Sequence, residues 1–538
     1  MFHSNLSLFL LLFYLSNLTQ PIMGQTDREE SIRQKVEMLS AGNPIQLLGE
    51  PVYCTHLIQE FYQLRGFQSA WQSSNIDSLL SAIQQAEYHG LNAEDYHFSA
   101  LTEFYKEAQS DEEWADLDFL ATDAFLLYAS HFLNGKVNPE TVDSEWKAVR
   151  REGNARRQLE NALANQSIYK TLLSLAPHHM GYLQMSSQLL FYRQIQAAGG
   201  WPQIPTGETL KAGMTDSVRI PLLSERLWIT GDLKDSINYI TYEPDLMDAV
   251  KHFQKRHGLE TDGHLGKETL AALNIPVDQR VDQILLNMER HRWITQDLGD
   301  HYIMVNIADF MLQVYRDNEL MMEKKVIVGK PFRKTPVFSS RMTYLVLNPY
   351  WTVPPTVLFN DILPEVIKNP GYLQTKNIKV LTGYGSEMST VDPYSIDWTK
   401  LSPNYFPYVL RQDPGATNAL GKVKFMFPNK YNVYIHDTPS KELFNRSDRA
   451  FSSGCIRVEK PIELTSYLLS SDPKWTDATI KTILESGEEQ TIMLKNPVNV
   501  HIIYLTSWVQ DGWIHFRKDL YNRDQPVIQA LNSSSPGI

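Results

Sequence analysis

The sequence predicts a multidomain α+β protein, in which a helical first part is followed by a mainly-β second part. The chain has 538 residues, enough for three or four domains of about 150 residues each. Apolar residues recur at helical spacing up to about residue 300, and short β-branched or aromatic segments bounded by turns follow. A composition of 43% apolar and 21% charged residues excludes a largely disordered chain, a coiled-coil rod and a multi-span membrane protein.

Charge and cysteine content exclude further classes of protein. The net charge of −12 argues against a protein that binds nucleic acid across its surface. The two cysteines, Cys54 and Cys455, cannot form a disulfide framework or a Cys-rich metal site. Cys54 lies among Val52, Leu57 and Phe61, a pattern typical of a buried helix.

The N-terminal residues 1–24 are typical of a secretory signal. The apolar run Leu6–Leu15 is shorter than the roughly 20 residues that span a bilayer, and Ile22-Met23-Gly24 offers a cleavage site. No Lys or Arg precedes the run, so an uncleaved anchor and a buried N-terminal helix stay open as alternatives. We expect export, and no Cys follows the run to carry a lipid.

Residues 25–205 predict a helical scaffold domain. Leu79, Leu80, Ile83 and Ala86 recur at helical spacing, and Phe119–Leu133 is a long apolar stretch. The histidines of this region occupy no metal-motif spacing, and we expect surface or capping roles for them: His89, His97, His131, His178 and His179.

Residues 206–276 predict a compact helical unit, followed by a linking helix within 277–300. Leu246, Val250, Phe253 and His257 share one helix face, and Asp262-Gly263 marks a turn before a second helix. The spacing of the histidines in this unit does not match a zinc motif. The stretch DAVKHFQKRHGLETDGHLGKETLAALN resembles the three-helix peptidoglycan-binding repeat of many wall enzymes.

Residues 301–485 predict the mainly-β domain, and 486–538 a C-terminal β or tail segment. Predicted strands include Tyr302–Val305 and Thr343–Leu347. Residues 355–420 form a long insertion, which we interpret as a lid, with a surface excursion as the alternative.

A histidine and a cysteine in this domain have the pattern of a nucleophilic site. Tyr431–His436 alternates as a strand does, and Cys455 follows His436 by 19 residues. A free thiol has a pKa of about 8.5, so a nucleophilic Cys needs a nearby base. Gly454 permits an unusual backbone angle, and the N–H groups of Ser453, Gly454 and Cys455 are candidates for an oxyanion hole. The main chain of Asp437 is the candidate to orient the imidazole.

The string HDTPSKELFNRSDRAFSSGCIRVEKP closely resembles the catalytic signature of the L,D-transpeptidases, which have a YkuD-type domain. Val328-Gly329-Lys330, Thr335-Pro336 and NPYWTVPP at 348–355 extend the resemblance over 301–485. The domain order is similar to that of the large periplasmic branch of the family. Ser453 stands where a second His often precedes the Gly-Cys pair.

The resemblance implies that Cys455 attacks a peptidoglycan stem peptide, with His436 as general base and acid. A thioester then passes to the side-chain amine of a second stem, giving a 3→3 cross-link and releasing D-alanine. It further implies that Arg457, Tyr350 and Trp351 contact substrate, although a structural role for Arg457 is an equal alternative. Stem peptides and glycan are the expected partners and carbapenems the expected covalent inhibitors, with no metal or organic cofactor required.

Other functions remain open from sequence. The same constellation suits an L,D-carboxypeptidase or attachment of a protein to the wall, because only the acceptor differs. A papain-like peptidase places its nucleophile before its histidine, the reverse of the order here. A non-catalytic wall-binding protein would use the 206–276 unit alone and would not need the His and Cys.

Overall fold

The computed structural model describes residues 27–148, 153–235, 239–295, 297–383 and 385–533. The predicted leader at 1–24 lies outside these residues. Four hydrophobic cores organise the described chain and correspond to the scaffold, the small helical unit, the β-domain and its insertion. The predicted α+β class is therefore confirmed. Within the described ranges, no helix is both long and apolar enough to cross a membrane.

The scaffold packs its helices around one long buried helix, α5 (Asp111–Asn134). A capping box between Ser110 and Glu113 starts α5, and buried Asp118 accepts hydrogen bonds from Tyr62 Oη at 2.6 Å and Trp71 N at 3.0 Å. The scaffold elements are α1 Asp27–Ser40, β1 Gln46–Leu47, β2 Glu50–Pro51, α2 Thr55–Leu64, α3 Ser73–Ile83, α4 Phe98–Glu107, α5 Asp111–Asn134, α6 Pro139–Val142, α7 Ala155–Ala164, α8 Ile168–Ser174 and α9 Met180–Ala197.

Three of the scaffold histidines are buried, so the prediction of surface or capping roles is wrong for their side chains. His97 Nε2 contacts Asp123 at 2.8 Å, and Tyr96 Oη contacts His131 Nδ1 at 2.9 Å. His89 packs between Phe132 and Tyr182. His179 does cap a helix, accepting from Tyr182 N. The buried rings of His97 and His131 form hydrogen bonds inside the protein in place of hydrogen bonds to water.

The small unit contains α10 Arg219–Ile229, α11 Pro244–Arg256 and α12 Lys267–Leu273, and α13 Val277–Trp293 follows. The predicted face of α11 is buried, and Gly258 ends the helix with φ +67°. Helix α13 packs along α9 of the scaffold, while Leu286 and Trp293 belong to the core of the β-domain. Helix α13 therefore connects these two parts.

The β-domain is built on a nine-stranded sheet in the order β13-β5-β14-β12-β11-β6-β15-β3-β4. Strand β4 also pairs with β5, so eight strands form a closed ring without a free edge between them. The strands of the domain and its insertion are β3 His301–Asn306, β4 Met311–Arg316, β5 Glu319–Gly329, β6 Phe338–Leu347, β7 Trp351–Thr352, β8 Lys379–Thr382, β9 Ser389–Val391, β10 Val409–Gln412, β11 Val423–Met426, β12 Ile435–His436, β13 Ala450–Ser452, β14 Ile456–Val458 and β15 Gln490–Ile503.

The insertion folds around a core of its own. Its strands β8, β9 and β10 form a sheet with β7, which directly precedes it, in the order β7-β10-β8-β9. Its apolar side chains enclose Val366, Leu373 and Trp398. Its helices are α14 Pro355–Val357, a π-helical turn Leu358–Ile362, α15 Leu363–Lys368 and α16 Tyr372–Thr375. The insertion is therefore a folded unit with its own core.

The C-terminal part joins the β-domain to the small helical unit. It contains a hairpin of β16 Ser507–Gln510 with β17 Trp513–Phe516, and α19 Asp524–Leu531, and it follows the two last helices of the β-domain, α17 Pro461–Leu469 and α18 Asp477–Ser486. Arg256 of α11 donates from Nη1 to Ile514 O at 3.4 Å and from Nε to Asp232 Oδ1 at 2.7 Å. The side chain of Asp232 is fully buried. Burial raises the pKa of Asp232, but the charge of Arg256 and the hydrogen bonds from Arg256, His252 and Thr230 together outweigh it and lower that pKa to about 2.

We expect Asp232→Ala to lower the free energy of unfolding by about 3–5 kcal/mol, because it leaves a buried guanidinium without its partner. Scanning calorimetry measures the effect, and Asp235→Ala, an exposed acid in the same loop, is the control. Since the folded pKa of Asp232 lies below the unfolded value of about 3.9, its contribution is present above that pH and is lost as the pH falls towards 2. Equal melting of the two variants at pH 7 would contradict the role of this pair.

Candidate active site

Parallel pairing of two short strands brings the predicted histidine and cysteine to one end of the sheet. Strand β12 pairs with β14 in the register Ile435↔Ile456 and His436↔Arg457. Cys455 directly precedes β14, beside Tyr434, whose carbonyl accepts from Ile456 N at 3.0 Å. Since side chains two residues apart on a strand lie on the same face, Cys455 shares a sheet face with Arg457, as Tyr434 does with His436.

The strand predicted at Tyr431–His436 is only Ile435–His436, so its extent was wrong. The side chain of Asn429 accepts from Tyr431 N at 3.0 Å and Val433 N at 3.2 Å, which turns the chain there. Asn432 has φ +55°. The turn has a chemical consequence, because it places Asn432 O 3.8 Å from Cys455 Sγ, as an acceptor for the thiol.

The imidazole of His436 is buried and held in one tautomer. Nδ1 donates to Asp437 O at 2.5 Å, so Nε2 is the nitrogen that is open to accept a proton. Burial, together with the charge of Arg457, lowers the pKa of His436 to about 3. The ring is therefore neutral at physiological pH, the state in which it acts as a base.

The carboxylate of Asp437 anchors the segment that follows the insertion. It accepts from Lys422 N and Thr438 N at 2.8 and 2.7 Å and forms an ion pair with Lys441. A Cβ on Gly421, which has φ +59°, would lie 2.3 Å from Asp437 Oδ2. Asp437 thus orients the imidazole through its carbonyl, and its side chain holds Gly421 and Lys422, where the chain leaves the insertion.

The thiol of Cys455 is partly exposed and lies in a positive field. Burial raises the pKa of the thiol, whereas hydrogen bonding from Tyr434 and the charges of Lys424 and Arg457 lower it. Lys424 is the register partner of His436 on β11, and its Nζ lies 4.1 Å from the centre of the Tyr434 ring. These cations favour the thiolate form of Cys455.

The loop 452–455 presents two free backbone donors. Ser452 Oγ accepts from Gly454 N at 3.1 Å and donates to Cys455 O at 2.5 Å. Gly454 has φ +114°, and its carbonyl accepts from Thr335 Oγ1 at 2.9 Å. Gly454 N–H is therefore engaged inside the loop, while the N–H groups of Ser453 and Cys455 have no acceptor in the described part of the chain.

The remaining predicted residues lie at the edge of the site and at the base of the insertion. Arg457 has a buried Nε without a partner among the described residues. Tyr350 is 40% exposed, its N–H donates to Glu489 Oε1 at 3.0 Å, and the Arg411 guanidinium lies 4.4 Å from its ring centre. Trp351 belongs to β7 and packs on the core of the insertion.

Sequence reasoning missed Lys424 and Tyr434. Tyr434 stands two residues before His436, a spacing that places it on the same strand face. The position of Lys424 beside His436 depends on strand register, which no local pattern reveals. No group of three or more His, Cys, Asp or Glu side chains suited to a metal ion occurs within the described ranges.

Residues 300–485 match the YkuD family model, described as an L,D-transpeptidase catalytic domain. The chain carries an L,D-transpeptidase catalytic domain. Residues 223–273 match a "Putative peptidoglycan binding domain" and 56–189 a scaffold domain. A Haemophilus influenzae protein named "Putative L,D-transpeptidase" is 37% identical over 277 residues, which cover 51% of this chain and 55% of that protein. The matched segment thus spans about half the length of this curated relative.

Two solved structures are also similar to part of this chain. One, an L,D-transpeptidase from Xylanimonas cellulosilytica, is 14% identical with a TM-score of 0.16, covering 56% of this chain and 99% of that one. The other, titled as the Ldtfm-avibactam carbamoyl enzyme, is 11% identical with a TM-score of 0.17, covering 59% and 98%.

We expect Arg457→Met to raise the pKa of the Cys455 thiol, because the substitution removes a charge that favours the thiolate. Each unit of that increase slows iodoacetamide alkylation tenfold at a pH below the pKa. The measurement is the rate of alkylation of Cys455 against pH, with Arg446→Met, on the neighbouring 441–446 segment, as control. Arg457→Met should also raise the pKa of His436, since the charge of Arg457 lowers that pKa. An unchanged alkylation profile would contradict this assignment.

Proposed function

We propose that the chain is an L,D-transpeptidase that forms 3→3 peptidoglycan cross-links through a thioester on Cys455. One observation carries the proposal. The β12–β14 pairing places a neutral imidazole, with its Nδ1 fixed, and a partly exposed thiol on one sheet end, in a domain of matching family. A thiol beside a positioned base is the arrangement that nucleophilic acyl transfer requires.

In acylation, His436 Nε2 takes the proton of Cys455 Sγ as the sulfur adds to the carbonyl that precedes the terminal D-alanine of a stem tetrapeptide. The oxyanion is stabilised by the open N–H groups of Ser453 and Cys455. Collapse breaks the carbon–nitrogen bond, and His436 returns the proton to the departing D-alanine amine. The side-chain amine of a second stem then displaces the sulfur, with proton transfers in the reverse order.

Other parts of the site would bind substrate. Arg457 is the candidate partner for a stem carboxylate, since its buried Nε is unpaired among the described residues. Tyr350 and Trp351 lie where the insertion begins and are candidates to contact the stem. The insertion at 355–420 would keep water from the thioester.

The peptidoglycan-binding unit at 206–276 would hold glycan or stem peptide close to the catalytic domain. Substrate of this kind lies outside the cytoplasmic membrane, which agrees with the signal predicted at 1–24. We therefore place the protein in the periplasm or cell envelope.

We expect Cys455→Ser to abolish cross-linking with the fold intact, because the same imidazole does not activate a hydroxyl of far higher pKa. Cys54→Ser is the matched control, since Cys54 is buried in the scaffold. Mass analysis of muropeptides after incubation with the purified protein reads the result. A 3→3 dimer supports the proposal, whereas tripeptide with free D-alanine alone would show an L,D-carboxypeptidase.

We expect a carbapenem to form one covalent adduct per chain, on the peptide that contains Cys455. Its strained carbonyl takes the place of the scissile carbonyl, and the opened ring stays attached to the acyl group, so the adduct persists. Tryptic mass spectrometry locates the adduct, and Cys455→Ala is the control. Modification of Cys54, of a serine, or of no residue after long incubation would contradict the mechanism.

A further inference from the structure

A tight turn after β5, residues 329–335, holds the loop that carries the nucleophile. Lys330 N donates to Ser452 O at 3.0 Å. Thr335 Oγ1 accepts from Gly329 N at 3.0 Å and donates to Gly454 O at 2.9 Å. A Cβ on Gly329 would lie 2.1 Å from Arg333 O, so the turn closes on itself. Turn and loop are therefore one hydrogen-bonded unit.

Arg333, in this turn, joins the nucleophile loop to the insertion. Its Nη1 donates to Ser453 Oγ at 3.0 Å. The same guanidinium is paired bidentately with Asp361, with Nη2 to Oδ1 at 2.8 Å and Nη1 bonded to Oδ2. Asp361 lies in the π-helical turn Leu358–Ile362, near the start of the insertion.

The geometry of this contact is specific to arginine. A planar fork satisfies both carboxylate oxygens and a third acceptor at once, which a lysine ammonium does not do in the same orientation. The Arg333 side chain is 13% exposed and that of Asp361 43%. The pair is therefore partly screened by solvent and is able to break without leaving a fully buried charge.

The far end of the insertion is fixed to the other half of the site. Gly421 and Lys422, where the chain leaves the insertion, pack on and donate to the carboxylate of Asp437. Asp437 O holds the imidazole of His436. The insertion is thus attached at one end to the loop of the nucleophile and at the other to the loop of the base.

We propose that Arg333 is a positioning residue that makes the seating of the insertion and the conformation of the 452–455 loop depend on each other. When Asp361 leaves, the guanidinium loses the anchor that aims Nη1 at Ser453, and the loop donors lose their fixed direction. Arg333 acts through geometry, because the charges that lower the pKa of Cys455 are those of Lys424 and Arg457. We expect the seated insertion to protect the thioester from water. In that respect the inference rests on the proposed function.

The experiment compares Asp361→Asn, Arg333→Gln and the double variant with wild type in the full protein. The control is Glu365→Gln, which breaks an exposed ion pair with Lys368 on the same insertion. We expect the ratio of hydrolysis to transfer to rise about tenfold in Asp361→Asn, and carbapenem acylation to slow about tenfold in Arg333→Gln, since a misplacement of about 1 Å costs up to about a hundredfold and a smaller loop shift costs less. In both the hydrolysis-to-transfer ratio and the rate of carbapenem acylation, the double variant should equal Arg333→Gln, because the two side chains act as one unit.

Two further readouts separate this role from others. Hydrogen exchange of the 452–458 backbone should be faster in Asp361→Asn and unchanged in Glu365→Gln. This expectation does not depend on whether the protein has transpeptidase activity. The pH midpoint of Cys455 alkylation should equal that of wild type in Arg333→Gln. The inference would be overturned if the effects of the two single substitutions added in the double variant, or if Arg333→Gln shifted the pH midpoint of Cys455 alkylation. It would also be overturned if hydrogen exchange of the 452–458 backbone were unchanged in Asp361→Asn. If the wild-type protein neither formed cross-links nor reacted with carbapenem, the proposed function would be overturned instead. The comparison of hydrogen exchange would then still decide whether the insertion and the 452–455 loop depend on each other.

Discussion

The arrangement of the catalytic domain depends on the parallel pairing of β12 with β14. This pairing is only two residue pairs long, yet it fixes the side chains of both predicted catalytic residues. Strand β12 is held on its other side by β11, and β14 by β5. Because both strands are internal to a closed ring, a change in their separation would break hydrogen bonds on both sides. The geometry of the pair is thus set by the whole sheet.

The electrostatics of the site favour a neutral resting pair. Burial and cations keep the imidazole of His436 uncharged, while burial outweighs the same cations at the thiol. Lys424 and Arg457 favour the thiolate and disfavour the imidazolium. In the proposed mechanism the proton moves as sulfur adds to the substrate carbonyl, so that the resting thiol stays protonated and less reactive.

Much of the fold could be predicted because its signals are local. Helical spacing in the scaffold and the turn at Asp262-Gly263 depend on neighbours within a few residues. His436 and Cys455 were identified by a continuous motif. The buried histidines, by contrast, are explained only by partners tens of residues away, such as Asp123 for His97. The end of the strand at Ile435 depends on the side chain of Asn429, and the link from Arg333 to Asp361 depends on tertiary packing. Such contacts leave no periodic trace in sequence.

The position of β15 sets the order in which the enzyme is completed during synthesis. This strand, Gln490–Ile503, lies between β6 and β3 and follows every predicted catalytic residue in the chain. Until it emerges, β6 and β3 have unpaired edges and the ring stays open. His436 and Cys455 therefore precede the start of β15 by 54 and 35 residues. The nascent chain carries both side chains in an unassembled state while this stretch is added, and alignment comes only with the last strand of the ring.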